Sequence, residues 1–365
     1  MLYYLYHFSS EISAFNVFRY ETFRAMAAAL TSLIISLAIG PKMIQLLTQL
    51  KLGQPLRLKS EVRELADLHA KKKNTPTMGG LLILFSVTLS SLLWCDLSNK
   101  LYWLVLGSMI FLGMIGFADD YQKVAKKNSK GIKPWQKLAA QFLLAVVVFT
   151  YLRHFASYPG EWSSLNIPFL KNVVIDMGIL TIIFYLCVIT GTSNAVNLTD
   201  GLDGLAIGCS ISVAMTYAIF CYLAGNVKLA TYLFLPIVSG AGELAIFCAA
   251  LVGSGIGFLW FNCHPARVFM GDTGSLALGG ALGVIAICVH QELALMIAGG
   301  VFVMEAMSVV LQVASFKLTG KRIFAMSPIH HHFELKGWDE TTVVVRFWIM
   351  SLVAAMAALA TLKLR

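Results

Sequence analysis

Charge is scarce in this chain. Asp, Glu, Lys and Arg make up 13% of its 365 residues and hydrophobic residues 58%, whereas a soluble domain carries about a quarter charged residues. That composition excludes the two soluble domains which length alone would suggest. The seven cysteines (95, 187, 209, 221, 248, 263 and 288) form no Cys-x-x-Cys and mostly lie in apolar runs. Neither a disulfide framework nor a zinc site is expected, and their ordinary role is that of small buried hydrophobes. Residues 1–20 lack both a basic start and an uninterrupted apolar core, so no cleavable signal peptide is expected. Barrel-type alternation is missing as well.

What is present instead is a series of long apolar runs. Ten of them can span about 30 Å of hydrocarbon, at 22–40, 77–95, 101–118, 136–152, 173–190, 204–224, 238–261, 274–290, 294–316 and 343–362. Only helices or closed barrels satisfy the backbone in lipid. The expected fold is therefore an all-α polytopic membrane protein, one transmembrane domain over residues 1–365. Tyr3, Tyr4, Tyr6, Phe8, Phe15, Phe18 and Tyr20 make residues 1–21 an interfacial aromatic segment.

The net charge of +9 fits a positive-inside bias and an affinity for anionic membrane lipid or substrate, not nucleic acid. Twenty of the 28 Lys and Arg residues fall in or beside the loops after odd-numbered spans. Those loops are expected to face the cytoplasm, with both termini outside. The chemically unusual residues fall on that same side.

Gly116-Phe-Ala-Asp-Asp-Tyr121 places Asp119 and Asp120 where an apolar run gives way to lysines. Adjacent like charges repel and need a cation or clustered lysines; a solvated helix end accounts for the pair without chemistry. Lys71-Lys-Lys-Asn-Thr-Pro-Thr-Met-Gly-Gly80 joins positive charge to a glycine helix opening, the ingredients of an anion site, although an inside anchor would also explain the lysines. The loop Thr192–Gly204 holds Asn194, Asn197, Asp200 and Asp203 and no basic residue. If a helix begins there, Asp200 and Asp203 share a face; an N-cap and solvated turn is the plainer reading. Its carboxylate and amide oxygens suit a hard cation, but an EF-hand is excluded because its terminal glutamate is missing.

Asn262 opens a loop that ends in Phe269-Met-Gly-Asp-Thr-Gly-Ser275, where Asp272, two hydroxyls and free N–H groups meet at a helix opening. It is not a Walker loop, because no Gly-Lys-Ser/Thr follows. His330, His331 and His332 are consecutive and cannot all point one way, which disfavours a three-histidine metal site and favours hydrogen bonding or proton donation to phosphate. Chance histidines beside the membrane are the plain alternative. Glu305 and Gln312 interrupt the ninth run and are expected to face a cavity or partner. Together, these loops fit Mg²⁺-assisted chemistry on a diphosphate at a membrane surface, with a lipid as one reactant.

Six ordered motifs carry a family resemblance: Thr75–Gly80, Asp119-Asp-Tyr121, Lys126–Gly131, Asn197–Gly204, Phe269–Ser275 and Pro328–Glu334. Over nearly the whole chain it resembles the phospho-N-acetylmuramoyl-pentapeptide transferases, polyprenyl-phosphate sugar-1-phosphate transferases of bacterial peptidoglycan synthesis. The resemblance implies ten transmembrane helices in the bacterial cytoplasmic membrane, a homodimer and Mg²⁺. It implies transfer of phospho-MurNAc-pentapeptide from UDP-MurNAc-pentapeptide to undecaprenyl phosphate, giving lipid I and UMP. By motif it makes Asp119, Asp120, Asp272 and His330 catalytic, with Asp272 on the metal. It puts Lys72, Thr77, Lys133, Asn197, Asp200, Asp203, Asn262, Phe269, Ser275, Gln312, His331 and His332 at the substrate. Asn74 and Ala118 depart from the family pattern without touching this chemistry. A related GlcNAc-1-phosphate transferase is the nearer alternative. The more distant one is a transporter using Asp176, Glu243 and Glu305 as midplane charges.

Overall fold

The computed structural model describes residues 1–50, 75–125, 131–155, 161–170 and 174–363. The first half contains α1 (Glu21–Gln49), α2 (Gly80–Trp94), α3 (Lys100–Ala125), α4 (Pro134–Phe155) and α5 (Thr181–Thr199). The second half contains α6 (Leu205–Gly225), α7 (Val227–Leu233), α8 (Ala241–Asn262), α9 (Gly271–Cys288), α10 (Glu292–Ala298), α11 (Gly300–Thr319), α12 (Ile329–Leu335) and α13 (Glu340–Ala360). Among the described residues nine helices are long and apolar enough to cross a membrane, and α2 is a shorter apolar tenth. The protein is an all-α polytopic membrane protein, as its composition requires.

At the centre stands α9, whose apolar window is entirely buried, against α2, α3, α5 and α6. An all-round apolar helix belongs in such a position. Glycines let it approach. A Cβ on Gly116 of α3 would lie 2.1 Å from the Asp272 carbonyl oxygen, and one on Gly80 of α2 would lie 2.1 Å from the Gly274 nitrogen. The first turn of α9 is thus wedged between two backbones.

Several boundaries differ from those the apolar runs predict, each for a local reason. The run at 173–190 does not span from its start: Val174–Asp176 pairs antiparallel with Ser164–Asn166, and the membrane-length segment is Gly178–Thr199. Polar residues at its far end stay helical because their side chains bond back one turn. Thr192 donates to the Val188 carbonyl at 2.8 Å, Asn194 to Thr190 at 2.8 Å and Thr199 to Ala195 at 2.8 Å. The expected loop at Thr192–Gly204 therefore shrinks to a turn. Asp200 closes α5 while Asp203 precedes α6, so the two share no helix face. In α3, Asp119 and Asp120 lie within the helix, which runs on to Ala125. The ninth run divides at Gly299 into α10 and α11, and α1 continues through Pro41.

The carboxylates on which a transport reading would rest are otherwise engaged. Glu243 forms a bidentate pair with Arg24 at 2.7 and 2.8 Å, tying α8 to α1, and also accepts the Asp96 N–H at 2.7 Å. Asp176 is on the short hairpin and Glu305 pairs with His330.

Candidate active site

The ends of α3, α5, α8 and α11 and the starts of α2, α4, α6, α9 and α12 supply the residues marked by sequence. Asp119, Asp120 and Asp272 each offer an oxygen within 4.8 Å of the others. Asp119 and Asp120 are almost fully buried, at 1% and 3% exposure. Carboxylates so placed require strong partners.

The two neighbouring aspartates have different partners. Asp120 accepts from the Asp272 N–H at 3.2 Å, the Thr273 N–H at 2.9 Å and the Thr273 hydroxyl at 2.8 Å. It is an anion at the start of α9, supplied from another helix, and satisfies N–H groups that would otherwise be orphaned. Gly271 makes that seat possible: its φ is +71°, and an added Cβ would stand 2.5 Å from Asp120 Oδ2 and 2.8 Å from Thr77 Oγ1. Asp119 accepts from the Ile132 N–H at 2.8 Å through Oδ1 and turns Oδ2 towards two ammonium groups.

Those ammoniums belong to Lys123 and Lys137. Lys123 Nζ is 2.5 Å from Asp119 and 3.2 Å from Asp272, while Lys137 Nζ is 3.2 Å from Asp119 and 2.5 Å from Asp272. The sequence places both among the inside lysines, but its motifs select Lys133 for the site. In the structure Lys133 is exposed at the entry to α4, where its N–H meets Gln136 Oε1 at 3.1 Å. Lys137, one turn on, is the residue that reaches the carboxylates. Lys123 is legible as the i+4 partner of Asp119 once the helix is extended past residue 118.

Asp272 is further fixed by Asn197, whose amide donates to it at 2.9 Å and to Ser275 Oγ at 2.8 Å. Asp200 is next along. Burial pushes its carboxyl up to about 8, helped by the negative charge of Asp272 and Asp120 and opposed by the Gly271 N–H. Beside these, the Thr75–Gly80 segment runs along Phe269 and Met270. The Phe269 N–H donates to the Pro76 carbonyl at 2.8 Å, and the Gly79 and Gly80 N–H groups donate back at 2.8 and 2.9 Å. The Thr77 hydroxyl is buried there without a hydrogen-bond partner among the described residues.

Other marked residues serve the surrounding loops. Asn262 accepts the Gly204 N–H at 3.1 Å and donates to the Val268 carbonyl at 2.8 Å. Asp203 accepts from Ala266 N–H at 3.0 Å and lies 3.2 Å from His264 Nδ1, with Glu340 alongside. Gln312 accepts the Ile323 and Phe324 N–H groups and donates to the Phe324 carbonyl, fastening the segment before the histidines. As expected, the histidines diverge. His330 Nδ1 lies 3.1 Å from Glu305, His331 Nδ1 lies 2.7 Å from Glu334, and His332 accepts the Ala325 N–H at 3.0 Å. Phe269 is half-buried. Lys72 and the Lys126–Lys130 run lie outside the described residues.

Chemically, hard oxygen donors, a glycine-opened helix start and two ammonium groups form one cluster. Fully ionised, three carboxylates outnumber two lysines, which suits an additional cation. Oxygen donors are what Mg²⁺ selects, usually through one or two carboxylates with phosphate completing the shell. The residues present therefore fit that ion, and the orphaned Thr77 hydroxyl points to a polar ligand at the same place.

Comparison with known proteins bears on the family. A family model described as Glycosyl transferase family 4 matches residues 102–290, and a phospho-N-acetylmuramoyl-pentapeptide-transferase signature matches residues 72–84. The chain is 58% identical to the phospho-N-acetylmuramoyl-pentapeptide-transferase of Methylacidiphilum infernorum, across 100% of both chains. It is 54% identical to the protein so named in Desulfotalea psychrophila, over 99% of each, and 52% identical to that of Citrifermentans bemidjiense, over 100% of each.

Proposed function

The chain belongs to the phospho-N-acetylmuramoyl-pentapeptide-transferase family, and from that premise we propose that it transfers phospho-MurNAc-pentapeptide from its UDP carrier to undecaprenyl phosphate, yielding lipid I and UMP. The observation that carries the reading is the Asp119–Asp120–Asp272 cluster, bridged by Lys123 and Lys137 at the start of a buried helix. Phosphoryl transfer depends chiefly on positioning and charge stabilisation, and such a cluster offers both.

In this reading each group has a role set by its contacts. Asp120 is committed to the α9 N-terminus and holds Asp272 in place. Asp119 has an oxygen turned to the lysines and is the group that orients, or takes a proton from, the lipid phosphate. Lys123 and Lys137 exchange carboxylate partners for phosphate oxygens as the diphosphate enters. Asp272, with Asp119 beside it, would hold Mg²⁺, which when bound supplies charge neutralisation on the diphosphate. The lipid phosphate attacks the β-phosphate of the nucleotide sugar directly and UMP leaves, one phosphoanhydride being exchanged for another. We place this end of the bundle at the cytoplasmic face of the bacterial inner membrane and both termini outside, in a homodimer.

The test is UMP release by purified protein supplied with undecaprenyl phosphate and Mg²⁺. UDP-MurNAc-pentapeptide is expected to turn over and UDP-GlcNAc is not; the reverse preference overturns the substrate assignment. A sugar-phosphate trapped on the protein without lipid acceptor would overturn direct attack.

A further inference from the structure

Three buried polar residues form one stripe on α11: Glu305, Ser308 and Gln312, at 0%, 2% and 8% exposure. Their spacing of three and four residues puts them on one helix face. Gln312 fastens the backbone at 323 and 324, so the stripe already serves to hold the chain between α11 and α12. Glu305 engages the residue to which that segment leads. Its Oε2 lies 3.1 Å from Nδ1 of His330, and both side chains are essentially inaccessible.

The opposite edge of the imidazole has a different setting. His330 Nε2 is buried and has no hydrogen-bond partner among the described residues. It is directed at Gly201, where an added Cβ would stand 2.3 Å from that nitrogen. Gly201 belongs to the turn between Asp200 and Asp203, adjoining the carboxylate cluster. A buried imidazole with one nitrogen paired and the other bare calls for a further partner, a water, an ion or a ligand, since leaving such an atom unmet costs stability.

We propose that Glu305 is a positioning residue, whose carboxylate keeps a proton on Nδ1 of His330 and thereby presents Nε2, the acceptor in that tautomer, to a phosphate hydroxyl (P–OH) of the bound substrate, which donates to it. A carboxylate at one ring nitrogen fixes the tautomer and orientation of the other, and removing it leaves the imidazole free to rotate or to move its proton. His331 and His332 have no equivalent arrangement: one pairs with Glu334 on its own helix, and the other accepts a loop N–H. The inference rests on the transferase reading.

The experiment compares Glu305→Ala and Glu305→Gln with the unaltered full-length protein, measuring kcat, the nucleotide-sugar KM and the imidazole ¹⁵N shifts, with His330→Gln to assign the signal. Glu305→Ala is expected to lower kcat about 10²-fold, at the modest end for acid–base groups, with KM changed less than about threefold. Glu305→Gln keeps an acceptor for the Nδ1 proton and is expected to recover at least about tenfold of that loss. In the unaltered protein Nδ1 should be the protonated nitrogen of His330. A bare Nδ1 there, or a kcat for Glu305→Ala within about threefold of normal per folded molecule, overturns the proposal. The nitrogen signature needs no turnover, so a protein that releases no UMP would refute the transferase reading while leaving this one testable.

Discussion

The two adjacent aspartates should fail differently when each is neutralised. In Asp120→Asn the amide oxygen can keep Thr273, but its NH₂ then confronts the Asp272 N–H across the present 3.2 Å. A lost hydrogen bond to a charged acceptor costs about 1.5–3 kcal/mol. Losing an anion at a helix N-terminus adds about 1 kcal/mol. The sum, about 3 kcal/mol, falls on the turn that carries Asp272. In Asp119→Asn the Ile132 N–H keeps an oxygen and both lysines keep Asp272, so the loss is that of about one hydrogen bond, about 1 kcal/mol. Thermal unfolding in detergent, followed by tryptophan fluorescence, separates the two. Asp120→Asn should lower the apparent Tm by about 4 °C and Asp119→Asn by about 1 °C. Turnover should still fall at least about 10²-fold in Asp119→Asn, because the group facing the reactants is gone. A larger Tm loss in Asp119→Asn than in Asp120→Asn would refute this division of roles.

Three further outcomes follow from the same geometry. Lys137→Met should raise the nucleotide-sugar KM by about tenfold, one charge-assisted contact, while Lys133→Met stays within about twofold; equal effects would return Lys133 to the site. Gly271→Ala must hold a side chain at φ +71° against Asp120, so it should lose about 2 kcal/mol or more and most activity, measured by unfolding and UMP release. Burial, with the negative charge of Asp272 and Asp120, pushes the Asp200 carboxyl up to about 8 in the folded protein from an ordinary 3.8. The folded state thus binds a proton that the unfolded chain releases, and stability falls as pH rises from about 4 towards 8. Asp200→Asn should flatten the decline of apparent Tm between about pH 4 and pH 8, and an unchanged slope would remove the burial argument.

How far the sequence revealed this depended on which physical rule governed each place. Apolar runs located the membrane helices because about twenty consecutive apolar residues match the hydrocarbon thickness and exceed the length of most buried core segments. They misplaced the ends where polar residues bond to their own helix, as Thr192, Asn194 and Thr199 do, since hydropathy cannot register an i−4 hydrogen bond. The motifs mark Asp119, Asp120 and Asp272 as catalytic, but their meeting in one cluster, and which carboxylate caps α9, required three dimensions. Lys137 escaped selection because its approach depends on how α4 leans on α3, and the Glu305–His330 pair joins residues 25 positions apart on separate helices.

A helix without a lipid-facing side changes what the bilayer can do to this protein. The membrane-length windows of α1, α4, α5, α11 and α13 are only 28% to 33% buried, so changes in hydrocarbon thickness act on them first. Tilting is the ordinary response of such helices to mismatch. The helix that carries Asp272, α9, is enclosed by protein, whereas Lys137 on α4 and Asn197 on α5, which hold Asp272, ride on helices of the outer set. The outer helices can follow the membrane while the innermost one keeps a fixed address for phosphate. Sensitivity to lipid composition thereby enters the site through Lys137 and Asn197, whose grip on Asp272 follows their helices while Asp272 keeps its place.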